Sequence, residues 1–220
     1  MHPAAVRLAV LLLSLVIGGD AAAQNLHAAV PPEGPDAGWF VPPGWQAAHE
    51  ARGDLNRDGQ LDVALHLVPT GFRYESDPVA TAPASHGLIV LLAERGGGLR
   101  RAGLTTVLLP EGVPRYGLGL EIRRGVLVVR QSFGAEAATE LTHRFRHDPA
   151  TGRFVLIRRE QHTRSPQGDS ELRRDDYLAG VLTVTVGRRD PSGRYRETTR
   201  REARPRTKFL LEHVVEQPGG

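Results

Sequence analysis

The 220-residue chain contains no cysteine. That excludes disulfides, thiolate metal ligands and a cysteine nucleophile, and it excludes lipid attachment at a cleavage-site cysteine. Lysine is nearly absent too: of 28 basic residues only Lys208 is not arginine, and the net charge of +3 is no nucleic-acid footprint, so no nucleic-acid partner is expected. Beyond the N-terminus no stretch approaches the 18 or so consecutive apolar residues that a spanning helix needs, so no membrane span is expected once that N-terminus is removed. No segment shows a sustained helical period. There is no Gly-x-Ser-x-Gly elbow and no His-Glu-x-x-His pair.

What is present begins with an export signal. Arg7 supplies a positive region, Leu8 to Gly19 an apolar core of about 12 residues, and Ala21 and Ala23 the small residues of a cleavage site. Residues 1–23 therefore read as a signal peptide, Gln24 as the first mature residue, and the location as periplasmic or secreted. Residues 24–44, rich in proline, glycine and alanine, read as an extended lead-in rather than packed structure.

Residues 45–216 read as one β-rich domain. Short apolar runs alternate with turn signals: Val63–Val68, Gly87–Glu94, Gly103–Leu109, Leu118–Ile122, Val126–Gln131, Thr139–Arg146, Arg153–Glu160, Val181–Gly187 and Arg194–Arg200. Lys208–Val215 fits a closing strand or a short helix equally well. Arg124-Gly125 suits a two-residue hairpin turn. "HDPATGRF" and "RDPSGRY" are two versions of one connector, with Asp-Pro opening a turn and glycine closing it. Gln161–Tyr177 is expected as a polar loop holding a solvated cluster of Arg173, Arg174, Asp175 and Asp176. The fold class predicted is all-β: an antiparallel, hairpin-rich sheet or sandwich.

One stretch points to chemistry. "GDLNRDGQLD" (Gly53–Asp62) places acidic and amide side chains at alternate positions and then runs into an apolar strand. A hard cation such as Ca²⁺ takes six to eight oxygen ligands. With Asp54 as position one, side-chain oxygens come from Asp54, Asn56, Asp58 and Asp62, and a backbone carbonyl from Gln60. Gly59 falls where the chain must turn with positive φ. Without a cation the three aspartates would repel one another. Position twelve is Leu65, not the glutamate of an EF-hand, and both flanks alternate like strands, so the loop is expected inside a β-hairpin.

This stretch resembles the calcium loops of FG-GAP and VCBS repeats, the integrin-type β-propeller repeats. The likeness covers Gly53–Val68 closely and extends back to Trp45. It implies Ca²⁺ at Asp54, Asn56, Asp58, Gln60 and Asp62. There is one copy and the upstream Phe-Gly and Gly-Ala-Pro elements are missing, so a complete propeller is not expected. The chain as a whole is similar to small exported bacterial proteins that carry one such repeat ahead of a β-rich remainder. Arg52-Gly53-Asp54 spells an adhesion tripeptide, but Asp54 is already assigned to the metal.

Weaker signals remain. His143 and His147, four apart on a strand, would lie roughly 13 Å from each other, too far for one metal, and read as surface histidines. Gly187–Lys208 holds nine basic residues against three acidic ones. Arg194 and Arg196 would share one strand face, as would Arg204, Arg206 and Lys208, and such a stripe could meet an anionic envelope polymer or lipid headgroups. The competing reading, that arginines guard an exposed sheet edge against aggregation, is preferred. Two function classes follow: a non-enzymatic exported module with a structural Ca²⁺ site that binds or supports something in the envelope, or a hydrolase acting on an envelope polymer with calcium as an aid. The missing nucleophile motif favours the first; a cleft with paired carboxylates would favour the second.

Overall fold

The structure is a computed structural model and describes residues 26–72, 86–108, 115–133 and 137–215. The signal segment and Leu109, the end of one apolar run, lie outside the described residues. The chain is all-β. Its strands are β1 (Glu33–Gly34), β2 (Trp45–Gly53), β3 (Asp62–Pro69), β4 (Gly87–Ala93), β5 (Leu99–Thr105), β6 (Arg115–Arg123), β7 (Val126–Phe133), β8 (Ala138–Asp148), β9 (Arg153–Arg164), β10 (Ser170–Asp176), β11 (Val181–Arg189), β12 (Tyr195–Ala203) and β13 (Phe209–Leu210). They form two antiparallel sheets, one ordered β1-β5-β4-β3-β2 and one ordered β12-β11-β10-β9-β8-β7-β6, with β13 pairing β9. The arrangement is a two-sheet meander and not a propeller. No described helix is long and apolar enough to cross a membrane.

Period-2 alternation decides which side chains meet. Ala64 on β3 and Leu88, Val90 and Leu92 on β4 share a core with Leu127 and Val129 on β7, Phe145 on β8 and Leu156 on β9, so the two sheets are held face to face. The intervening residues Val63, Leu65, Leu67, Ile89 and Leu91 point the opposite way into a second core. This is why β3 and β4 read as continuous apolar runs rather than alternating ones.

The second core corrects the sequence reading of residues 24–44. Leu26, Val30, Ala37 and Phe40 are buried against the outer face of the first sheet. A helical turn at 26–29 closes with Val30 N–H donating to Leu26 O at 3.0 Å, and a 3₁₀ turn at Ala37–Phe40 is capped by Asp36, which accepts from Trp39 N at 3.1 Å. Arg101 Nη1 donates to Val30 O at 2.6 Å. Proline and glycine here shape a packed strap.

Three other expectations shift. The run placed at Gly103–Leu109 pairs as Leu99–Thr105, because Gly97 and Gly98, both with φ near +90°, make the hairpin turn directly before it. The polar loop of Gln161–Tyr177 is strand: β9 continues to Arg164, and β10 bonds to β9 on one side and β11 on the other. Its outer face meets no core, so its sequence needs no apolar alternation. Cross-strand ion pairs stand in for it, Arg174 Nε with Glu160 at 3.0 Å and Arg158 Nη2 with Asp176 at 3.0 Å. The ambiguous Lys208–Val215 holds both alternatives in succession, β13 and then a 3₁₀ turn at Leu211–His213.

The turn chemistry is as the residues imply. Arg124 (φ 52°) and Gly125 (φ 77°) join β6 to β7, the two positive dihedrals of a type I′ turn. In both Asp-Pro connectors the aspartate Oδ1 accepts an amide two residues on, Ala150 N at 3.2 Å and Ser192 N at 2.9 Å, and Gly152 and Gly193 donate back to the aspartate carbonyl at 2.8 Å.

Candidate functional site

The acidic loop occupies the expected place, closing the β2–β3 hairpin between Gly53 and Asp62, which face each other across the ladder. Gly59 turns the chain at φ 86°, in open space. Asp54 organises the near side. Its Oδ1 accepts from Arg57 N at 2.6 Å and Asp58 N at 3.1 Å, and its Oδ2 from Gly59 N at 3.0 Å. Asn56 and Asp58 are joined at 3.0 Å through Asn56 Nδ2, and Asp58 Oδ1 accepts from Gln60 N at 2.9 Å. The bonds to Gln60 N and to the Asn56 amide hold the exposed Asp58 carboxyl below its ordinary range.

Asp62 is placed differently. It is 0% exposed, and its Oδ2 accepts from Leu55 N at 2.7 Å while Oδ1 accepts from Ala93 N at 2.8 Å, at the end of β4. Burial pushes its pKa up, against the opposing pull of the amides of Ala93, Leu55 and Asn56. Leu55, 2% exposed, projects from the loop into the core between the sheets. The loop is thus pinned to the fold by one apolar side chain and one buried carboxylate.

Can these residues hold a cation? Their donors are all oxygen, the chemistry of a hard ion such as Ca²⁺. None of Asp54, Asp58 and Asp62 forms an ion pair with an arginine or lysine among the described residues; amides meet them at hydrogen-bond range, and Arg95 acts on Asp58 from beyond ion-pair distance. Asp54, Asn56 and Asp58 are brought together by mutual hydrogen bonds, whereas Asp62 is committed to Leu55 and Ala93. Among the described residues no three acidic, histidine or cysteine side chains gather into a metal cage.

The loop also braces its neighbour. A side chain at Gly125 would meet Arg57 Nε at 3.1 Å, and one at Gly53 would meet Ile122 Cγ2 at 2.6 Å. The β6–β7 turn therefore sits directly against the loop. Beyond that turn the outer face of the second sheet carries a groove of about 650 Å³ that no sequence pattern suggested. Five arginines line it against two carboxylates, Glu121 and Asp176. Arg130 donates to Glu121 at 2.8 Å and holds that carboxyl below its ordinary range. Burial works to raise Asp176, but Ala179 N and Arg158 outweigh it and hold it low as well.

The other expected features separate. Arg196 lies at the start of β12 and Arg194 just before it, but Arg204, Arg206 and Lys208 follow it outside any strand, so no continuous stripe forms. Arg196 pairs with Asp190 at 3.2 Å, Arg204 with Glu202 at 3.1 Å and Lys208 with Asp148 at 3.2 Å. β12 is the last strand of its sheet, the position where charged residues discourage edge pairing. His143 is not a surface residue: it is 0% exposed and faces the core beside Phe145, while His147 packs on Phe154. Sequence reasoning also passed over a stack of three histidines, in which His49 lies over His66 and His66 Nε2 sits 2.9 Å from His86 Nδ1.

No family model matches the chain, and no curated protein or solved structure shows a recognisable similarity to it.

Proposed function

We propose that the chain is an exported, non-enzymatic β module in which the Asp54–Asp62 loop takes one Ca²⁺ as a structural staple, and that it serves as a binding or support protein of the cell envelope. One observation carries the metal reading: three carboxylates within nine residues, turned by a positive-φ glycine, none of them in an ion pair among the described residues. Asp54, Asn56, Asp58 and Asp62 would supply side-chain oxygens and Gln60 its carbonyl. The ion would offset the mutual repulsion of the carboxylates and hold the hairpin between β2 and β3.

The non-enzymatic reading is supported by the groove. A general acid in polymer hydrolysis needs a carboxyl whose pKa is raised. Glu121 is held low by Arg130, and Asp176 by the Ala179 amide and Arg158.

The test is thermal melting of the purified protein in chelator, in calcium and in magnesium. If the dissociation constant is near 10⁻⁴ M, 1 mM free calcium adds about 1.4 kcal/mol. For a domain of this size that is a rise of roughly 3–5 °C. Magnesium, which retains its waters, should do less. Asp58→Ala should abolish the response. Coincident melts in all three conditions would remove the metal reading.

A further inference from the structure

We propose that the arginine-lined groove on the outer face of the second sheet binds an anionic amphiphile: a molecule with a phosphate or carboxylate head on an aliphatic body. The inference rests on the reading of the chain as an envelope binding module, and it names the partner.

The groove lies on the side of β6–β10 turned away from the core between the sheets. Register places Glu121, Val128, Arg144 and Arg158 side by side across four strands on that face. A solvated sheet face is normally polar, yet Val128 is only 6% exposed here, and Ile157 and Leu178 border the same groove. Ile157 is the extra residue of the β8–β9 irregularity, since Arg144 pairs with Arg158 while Phe145 pairs with Leu156. The bulge delivers an aliphatic side chain to a face that regular pairing would have left to arginine.

Around this floor the charge is unbalanced. Arg123 and Arg124 are exposed and form no ion pair among the described residues. Deeper in, Glu160 is shared by three guanidinium groups, Arg174 at 3.0 Å, Arg144 at 3.4 Å and Arg158 at 3.8 Å, of which Arg158 also pairs with Asp176 at 3.0 Å. Arg144 Nη1 is closed off from solvent and, although it lies 3.4 Å from Glu160, makes no hydrogen bond. A buried donor left without an acceptor is costly, and an arginine cluster offers oxyanions forked, charge-assisted hydrogen bonds. The volume suits a small organic ligand. A cationic rim over an aliphatic floor matches a ligand that carries both an oxyanion and a hydrocarbon body. An inorganic anion would leave the floor unused, and a sugar polymer would find no aromatic face there.

The experiment is calorimetric titration of the purified protein in chelator with octyl phosphate below its micelle concentration, and with inorganic phosphate, octanol and polygalacturonate. Octyl phosphate should bind at least tenfold more tightly than phosphate or octanol, and polygalacturonate should not displace it. Arg123→Glu, an exposed site, should weaken binding at least tenfold, while Arg194→Glu at the opposite sheet edge should leave it within twofold. Leu178→Ser should bring octyl phosphate down toward the affinity of inorganic phosphate, and it decides the matter if Arg123→Glu fails to fold. Absent binding, equal affinity for inorganic phosphate, tighter binding of polygalacturonate, or an unaffected Arg123→Glu would each overturn the inference. Asp58→Ala should bind octyl phosphate normally in chelator, so the groove and the calcium loop can fail independently.

Discussion

Replacing Asp62 by alanine separates two roles that the sequence merges, metal ligand and structural acceptor. In the fold Asp62 is fully buried and takes the amides of Leu55 at 2.7 Å and Ala93 at 2.8 Å. Alanine leaves both donors without a partner. An orphaned buried polar group costs about 1–3 kcal/mol, so two cost about 2–6 kcal/mol. Against this, the variant removes a carboxylate whose burial is itself unfavourable, as the upward push on its pKa shows. A net loss of about 3 kcal/mol is expected, equivalent to a fall of roughly 6–12 °C in melting temperature. Asp62→Asn keeps one acceptor and should lose about half as much. The assay is urea unfolding in chelator, reading the midpoint at constant slope. The chelator matters, because a residue that acted only as a calcium ligand would show no loss there. An Asp62→Ala variant within about 1 kcal/mol of the parent in chelator would refute the assignment of Asp62 as the pin between loop and sheet.

Two further outcomes are expected. Phe40→Ala should cost about 3–5 kcal/mol, since Phe40 is fully buried against the outer face of the first sheet; a loss below about 1 kcal/mol in urea unfolding would return residues 26–44 to the status of a loose lead-in. The hydrogen bonds that Asp190 receives from the Ser192 hydroxyl, Arg194 N and Arg196 hold its folded pKa below 3.8, and Lys208 and Ala150 N do the same for Asp148. Such groups add stability above their ordinary pKa that is lost as pH falls through the lowered folded value. Urea midpoints should therefore drop between about pH 5 and pH 3, and Asp190→Asn should flatten that fall; an unchanged profile would show that the connector carboxylates contribute nothing.

Much of the architecture is legible in residue order because its causes are local. Alternating runs, Arg124-Gly125 and the paired Asp-Pro connectors specify strands and hairpin turns within a few residues, and Asp54–Asp62 specifies a glycine-turned loop in a hairpin. What escaped has a non-local cause. β10 is strand because two neighbours offer it a full ladder and ion partners, not because of its own pattern. Residues 26–40 pack because β3 and β4 present a second apolar face to cover. Arg194 to Lys208 do not make one surface, because the chain leaves the sheet after Ala203 and three of the cations are met by carboxylates, Arg196 by Asp190 and Arg204 by Glu202 nearby and Lys208 by Asp148 from 60 residues away. Asp62 turns from a member of an oxygen series into a buried acceptor only when Ala93, 31 residues away, brings its amide to the loop. The groove is the clearest case. Arg123, Arg144 and Arg158 are scattered in an arginine-rich sequence where no single one stands out. Pairing register and one bulge set them around a shared aliphatic floor, and neither register nor bulge can be read from any one strand alone.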